Sequence, residues 1–202
     1  MKSALDVHRV LLAAGIPHEI VRLRTPALNG DDLPRALGVP RAACAVVRCY
    51  RVTRRDGTLR IGAVLLRSGD TPDPASLLDA FEAVSIRPAT GAEVNAATDF
   101  ASPLVSPICL PVDVLLLADS ALGTGTPMRD VLYAPTGESG VALGIHTRDL
   151  LLASRALVTN VTAARLGEQE RSDWQHGAGI ETAGAVVVEL DRKRFAGARS
   201  TA

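Results

Sequence analysis

A chain of 202 residues is long enough for one domain with a full hydrophobic core. Apolar residues make up 47% and aromatics 3%, with 17 Gly and 12 Pro, a composition that excludes disordered and fibrous classes. The 22 basic and 22 acidic side chains balance to a formal net charge of zero, which argues against tight general binding of long nucleic acid, where phosphate contacts supply most of the affinity.

No apolar run reaches the roughly 18–20 residues that span a bilayer, so no membrane partner is expected. Asp6 falls early in the chain and no uninterrupted apolar stretch follows it, so a signal peptide is not expected either. Cys44, Cys49 and Cys109 are odd in number and lack Cys-x-x-Cys spacing. Reduced thiols, a cytoplasmic setting and no structural zinc or other metal follow as expectations.

Taken in order, residues 3–14 carry Leu5, Val10, Leu11 and Ala14 and stop at Gly15, predicting an amphipathic helix with a glycine end. Pro17 opens an extended segment over 18–23. Residues 31–37 predict a short helix closed by Gly38, with Pro34 in the first turn, where a missing N–H is tolerated. Two β-rich runs, 44–52 and 58–66, flank Arg54-Arg55-Asp56-Gly57, a strong hairpin signal. Helices are expected over 73–81 and 91–98, and strands over 112–118, 129–134 and 141–145. Thr147 is expected to cap a helix running to Ala153. Beyond Ala164 the composition turns polar around Trp174, and 182–190 returns to a β-rich run. The order implies one α+β (mixed α/β) domain over 1–164 around a central mixed sheet flanked by helices, with a C-terminal extension over 165–202.

Candidate chemistry is sparse. The arginines Arg48, Arg51, Arg54, Arg55 and Arg60 offer either a local positive face or a solvated hairpin rim. Cys49 and Cys109 have apolar flanks and read as inert thiols. His8, His18 and His146 show no metal or triad spacing. Neither a Gly-x-Gly-x-x-Gly fingerprint nor a P-loop is present, so no cofactor is expected, and Leu122-Gly123-Thr124-Gly125-Thr126 reads as a turn.

The short runs Gly-Ile-Pro-His-Glu, Ala-Leu-Gly-Val-Pro, Val-Ser-Pro-Ile-Cys-Leu-Pro and Asp-Leu-Leu occur in that order between about Leu5 and Val161. By their order and spacing the chain resembles the YbaK/ProX family of free-standing aminoacyl-tRNA deacylases, related to the editing domain associated with prolyl-tRNA synthetase. The resemblance implies a twisted mixed sheet with a cleft beside it. It also implies trans-editing: hydrolysis of the ester of a mischarged tRNA carrying a small amino acid, without a protein nucleophile. The partners it implies are the 3′ end of an aminoacyl-tRNA and an aminoacyl-tRNA synthetase.

The family's strand lysine, set in a Val-Val-Lys-like context, corresponds to Arg48 in Val46-Val47-Arg48, or to Val46 in an ungapped alignment. The family's Gly-x-x-x-Pro loop corresponds to 103–107, where Pro107 matches, Pro103 replaces the glycine and Ser106 offers a hydroxyl. Thr136, Gly137 and Gly140 correspond to the family's small-residue turn before the last sheet strand, read either as a loop that contacts the ligand or as a plain tight turn, and Ala142 stands where some relatives have an aspartate. These departures leave a second reading open, a YbaK-like protein that binds a tRNA end, a synthetase or a small ligand without hydrolysis. A third reading is a structural or oligomeric role for the extension around Trp174.

Overall fold

A computed structural model describes residues 1–123 and 131–162. The expected extension over 165–202 and residues 124–126 of the glycine-threonine turn lie outside the described residues. The elements run α1 (Ala4–Ala13), β1 (His18–Arg22), α2 (Leu33–Leu37), β2 (Ala45–Arg54), β3 (Leu59–Arg67), α3 (Pro74–Ala80), β4 (Ala83–Pro88) and α4 (Gly91–Thr98). They continue with β5 (Leu115–Asp119), β6 (Val131–Pro135), β7 (Val141–His146), α5 (Thr147–Ser154) and β8 (Leu157–Thr159). None of the described helices is long and apolar enough to cross a membrane.

The fold is the mixed α/β class read from the sequence, with its strands divided between two sheets. Five strands take the order β4-β2-β3-β5-β8, antiparallel through β4, β2 and β3, then parallel through β3, β5 and β8. Three antiparallel strands form the second sheet, β1-β7-β6. The sheets meet where Cys44, just ahead of β2, bridges Tyr133 of β6.

Alternation along β2 explains why the large sheet is covered on both faces. Ala45 and Val47 face a core containing Val7 and Leu11 of α1, Val94 of α4 and Phe100. Val46 and Val52 face a second cluster with Leu77 and Phe81 of α3 and its C-cap. Gly62 of β3 makes the second contact possible: a Cβ there would lie 2.5 Å from the Phe81 ring.

The helix ends follow local chemistry. The Ser3 amide donates to the Asp6 carboxylate at 2.9 Å at the start of α1, and Gly15 (φ +66°) turns the chain after it. The buried stripe of α1 is Ala4, Val7 and Leu11, whereas Leu5 and Val10 are exposed; the apolar residues of 3–14 exceed what one helix face can bury. Thr90 accepts from the Glu93 amide and Glu93 reaches back to the Thr90 amide, a capping box for α4. At α5 the cap is His146, one residue earlier than expected; Thr147 is buried in the first turn and the acid of that turn is Asp149.

Candidate active-site cleft

A cleft of about 260 Å³ opens beside the first half of β2. Three pieces of chain build it around Val46–Tyr50: the turn Asn29–Asp31, the loop carrying Ser102, Pro103 and Val105, and the end of β4 with the start of α4, through Pro88, Ala89 and Val94. The turn approaches closely because residue 30 is glycine. A Cβ on Gly30 would lie 2.8 Å from Cγ1 of Val46.

That approach sets the electrostatics. Asp31 Oδ2 accepts from Arg48 at 3.0 Å, while its Oδ1 accepts from the Gly69 amide at 2.9 Å and the Ser68 hydroxyl at 3.2 Å. The Arg48 guanidinium also reaches the Asp70 carbonyl at 3.5 Å. Arg48 Nε is buried without a hydrogen-bond partner among the described residues, as is Asn29 Oδ1 in the facing turn. Buried polar atoms in that condition cost free energy that a ligand can recover.

Cys49 lines the cleft as well. Burial pushes its thiol up to about 12, so at neutral pH it is a weakly polar packing group and not a thiolate nucleophile. Burial also raises the Tyr50 hydroxyl, with the Arg48 charge opposing it. No histidine lines this cleft among the described residues. The apolar wall consists of Val46, Val47, Val94, Val105, Ala89 and Pro103.

The residues singled out from sequence fall in three places. Arg48 is in the cleft, and the loop over 103–107 contributes Pro103 and Val105 to its wall. Ser106 and Pro107 lie behind that wall; Ser106 is fully buried and its hydroxyl oxygen accepts from the Ile108 amide at 3.2 Å. Thr136, Gly137 and Gly140 form the β6–β7 turn and are not among the lining residues. Thr136 donates its hydroxyl to the Val141 carbonyl at 3.0 Å. Gly137 (φ +93°) packs so tightly that a Cβ would lie 2.7 Å from the Phe100 ring and 3.0 Å from the Lys2 carbonyl. The Gly140 carbonyl accepts from the Leu23 amide at 2.9 Å, fastening the turn to the chain after β1.

Sequence reasoning missed Asn29, Gly30 and Asp31 as cleft residues. Asp31 was legible only as the beginning of a short helix; nothing in its spacing from Arg48 announces the contact. The acid-base cluster further along the β2–β4 edge was also unread: Glu93 accepts from Arg87 at 2.7 and 3.0 Å and from Arg51. Together with Arg54, which pairs with Glu82 at 2.8 Å, these contacts neutralise much of the arginine patch internally.

No family model matches the chain, and no curated protein does. Solved structures do. A hypothetical protein, APE2540, superposes with a TM-score of 0.67 at 21% identity, over 78% of this chain and 99% of that one. A candidate trans-editing enzyme for prolyl-tRNA synthetase superposes with a TM-score of 0.66 at 19% identity, over 80% of this chain and 97% of its own. A protein from Marinobacter aquaeolei described in terms of signal transduction matches at 0.53 and 12% identity, over 89% of this chain and 38% of that one. The chain therefore shares the fold of the first two of these proteins, a mixed α/β domain.

Proposed function

We propose that the chain is a divergent YbaK/ProX-like trans-editing deacylase, which hydrolyses the ester linking a small amino acid to the 3′ end of a mischarged tRNA. The observation that carries this reading is the meeting of Arg48 with the apolar Val46, Val47, Val94, Val105 wall in one cleft of about 260 Å³. That volume is just below the roughly 300–1,000 Å³ common for small-molecule pockets, which suits a small aminoacyl group and not a whole nucleotide. The guanidinium supplies a fork for a phosphate or terminal sugar oxygen at the polar side.

Hydrolysis in such a cleft needs no enzyme-bound intermediate. Water adds to the ester carbonyl carbon, the carbonyl oxygen takes the developing negative charge, and the carbon–oxygen bond to the ribose breaks as that oxygen gains a proton. What the protein contributes is orientation of the ester and preorganised dipoles around it. The protonated thiol of Cys49 agrees with a reaction that uses no side-chain nucleophile. Selection by size alone is modest, since one methylene is worth about 1–3 kcal/mol.

Ion pairing of Arg48 with Asp31, and proline at position 103 where an N–H is lost, favour a second reading: a binding protein for the same tRNA end without turnover. Purified protein tested against mischarged tRNAs, including Ala-tRNA-Pro and Cys-tRNA-Pro, separates the two. Release of one amino acid above the buffer rate is the expected result, and Arg48→Ala should lower kcat/KM about 10- to 100-fold. Binding without release from any substrate would establish the second reading and end the first.

A further inference from the structure

We propose that the floor of the cleft is a short gap in the large sheet, and that Val47 holds the ligand's amino-acid unit there through main-chain hydrogen bonds. The proposal deepens the deacylase reading and rests on it for the identity of the whole substrate. The gap itself follows from the hydrogen-bond pattern alone.

In an antiparallel ladder each residue turns both its N–H and its C=O to one side, and successive residues alternate. The Arg54 amide donates to the Thr58 carbonyl at 2.9 Å, and the Ser68 amide donates to the Cys44 carbonyl at 2.8 Å. Both contacts point towards β3, so Val46, Arg48, Tyr50 and Val52 also bond on that side. Ala45, Val47, Cys49 and Arg51 turn their main-chain groups to the opposite edge. There β4 is in register only from Tyr50 to Arg54, and one further bond follows, from the Ala89 amide to the Cys49 carbonyl at 2.9 Å. Pro88 fits this phase: it stands opposite Tyr50, a position that asks nothing of its missing N–H.

Past Ala89 the neighbouring strand is gone. The next covering contact is the bridge of Cys44 to Tyr133. Between the two ends the ladder phase leaves neither the N–H nor the C=O of Val47 a strand partner among the described residues. Val47 is 8% exposed and lines the cleft. A buried donor and acceptor left unpaired side by side is rare and costly. The vacant edge is therefore a recognition surface of fixed geometry.

Its chemistry specifies the occupant. An aminoacyl group carries an α-ammonium donor and a carbonyl acceptor on adjacent carbons, the same pair a β-residue presents to a strand edge. The ammonium would donate to the Val47 carbonyl and the ligand carbonyl would accept from the Val47 amide. The neighbouring Cys49 amide is turned to the same edge. Closure at Ala89 and at the Cys44–Tyr133 bridge keeps the gap short, and the surrounding valines limit the side chain to a small apolar one. An added peptide strand would need a longer free edge.

The test uses the full chain labelled with ¹⁵N and probes that carry neither phosphate nor RNA. L-Alaninamide is expected to shift the Val47 and Cys49 amide resonances together and saturably. Propionamide, which lacks the α-amino group, is expected to bind at least about tenfold more weakly, the worth of one charge-assisted hydrogen bond. Val47→Pro removes the edge N–H along with the core-facing valine side chain and should weaken alaninamide about tenfold or more. Val47→Ala, which keeps the N–H, should bind it more tightly than Val47→Pro, with circular dichroism checking that both variants are folded. Equal binding of propionamide, shifts confined to other residues, or tighter binding of tri-alanine than of alaninamide would overturn the proposal, the last in favour of strand addition. Shifts at Val47 in a protein that hydrolyses no mischarged tRNA would keep the gap and remove the catalytic reading. Hydrolysis with Val47 unmoved would do the reverse.

Discussion

Arg48 and Asp31 hold one another at 3.0 Å with side chains 37% and 39% exposed, so solvent screens the pair and it adds little to stability. Its larger effect is on what Arg48 is free to do. Asp31→Asn removes the negative charge but keeps an acceptor for the Gly69 amide and the Ser68 hydroxyl. The expected result is a change in unfolding free energy below about 1 kcal/mol and a gain of up to about fivefold in affinity for AMP, a stand-in for the 3′-terminal nucleotide. Calorimetric titration at fixed salt checks it, and weaker AMP binding would mean that Asp31 positions the guanidinium and does not compete for it. Gly30 is the companion case. Gly30→Ala drives a methyl against Val46, Cγ1 and Cβ lying 2.8 and 3.1 Å from the new atom, and β2 gives little room to retreat. A loss of about 1–3 kcal/mol in urea unfolding is expected, with weakened alaninamide binding in the folded protein because the cleft wall has moved.

Within elements, α4 is tied to the β2–β4 edge through one carboxylate. The paired Arg87 guanidinium holds Glu93 well below the usual glutamate range, helped by the Thr90 amide and then by Arg51, against a smaller opposing effect of burial. A carboxyl depressed in the folded state stabilises fully above its unfolded pKa, and that contribution is lost as pH falls towards the folded value. The stability gap between the natural protein and Glu93→Gln should therefore be constant near neutrality. It should begin to shrink below about pH 4.5, the ordinary glutamate value, and continue shrinking into strong acid. Urea midpoints of both proteins across pH 7 to about pH 2 measure it; a gap that persisted in acid would mean that Glu93 acts by packing. The same region marks where sequence reading fell short. The helix expected over 91–98 is present, and the structure supplies its reason in the Thr90–Glu93 capping box. Strand β4 was not legible, because its run Ala83–Pro88 includes Arg87 and ends in proline, which normally argues against a paired strand. Only the phase of β2 explains why that proline is harmless.

Across the whole molecule, element order was readable because each piece carries its own punctuation, such as Gly15, Gly38 and Asp56-Gly57. The division into two sheets was not, since it depends on where strands stop pairing, and the cleft inherits that illegibility: its floor is defined by a neighbour that ends at Ala89. The joint between the sheets is Cys44, fully buried with Ala27, Leu33, Leu104 and Ala142. Burial pushes its thiol up to about 12, so in the closed protein it is neither accessible nor ionised. Thiol reagents must wait for the structure to open there, which turns Cys44 into a gauge of how the two sheets are coupled. If the domain opens as one cooperative unit, the opening free energy from Cys44 labelling should equal the global unfolding free energy from urea, within about 0.5 kcal/mol. In that case the small sheet is as firmly held as the large one, and the bridge at Tyr133 fixes one end of the Val47 gap on the timescale of ligand binding. Labelling that ran well ahead of global unfolding, in a protein with Cys49 and Cys109 replaced by alanine, would show the sheets separating on their own. The gap would then lengthen whenever they part, and its selectivity for a single residue would fall with it.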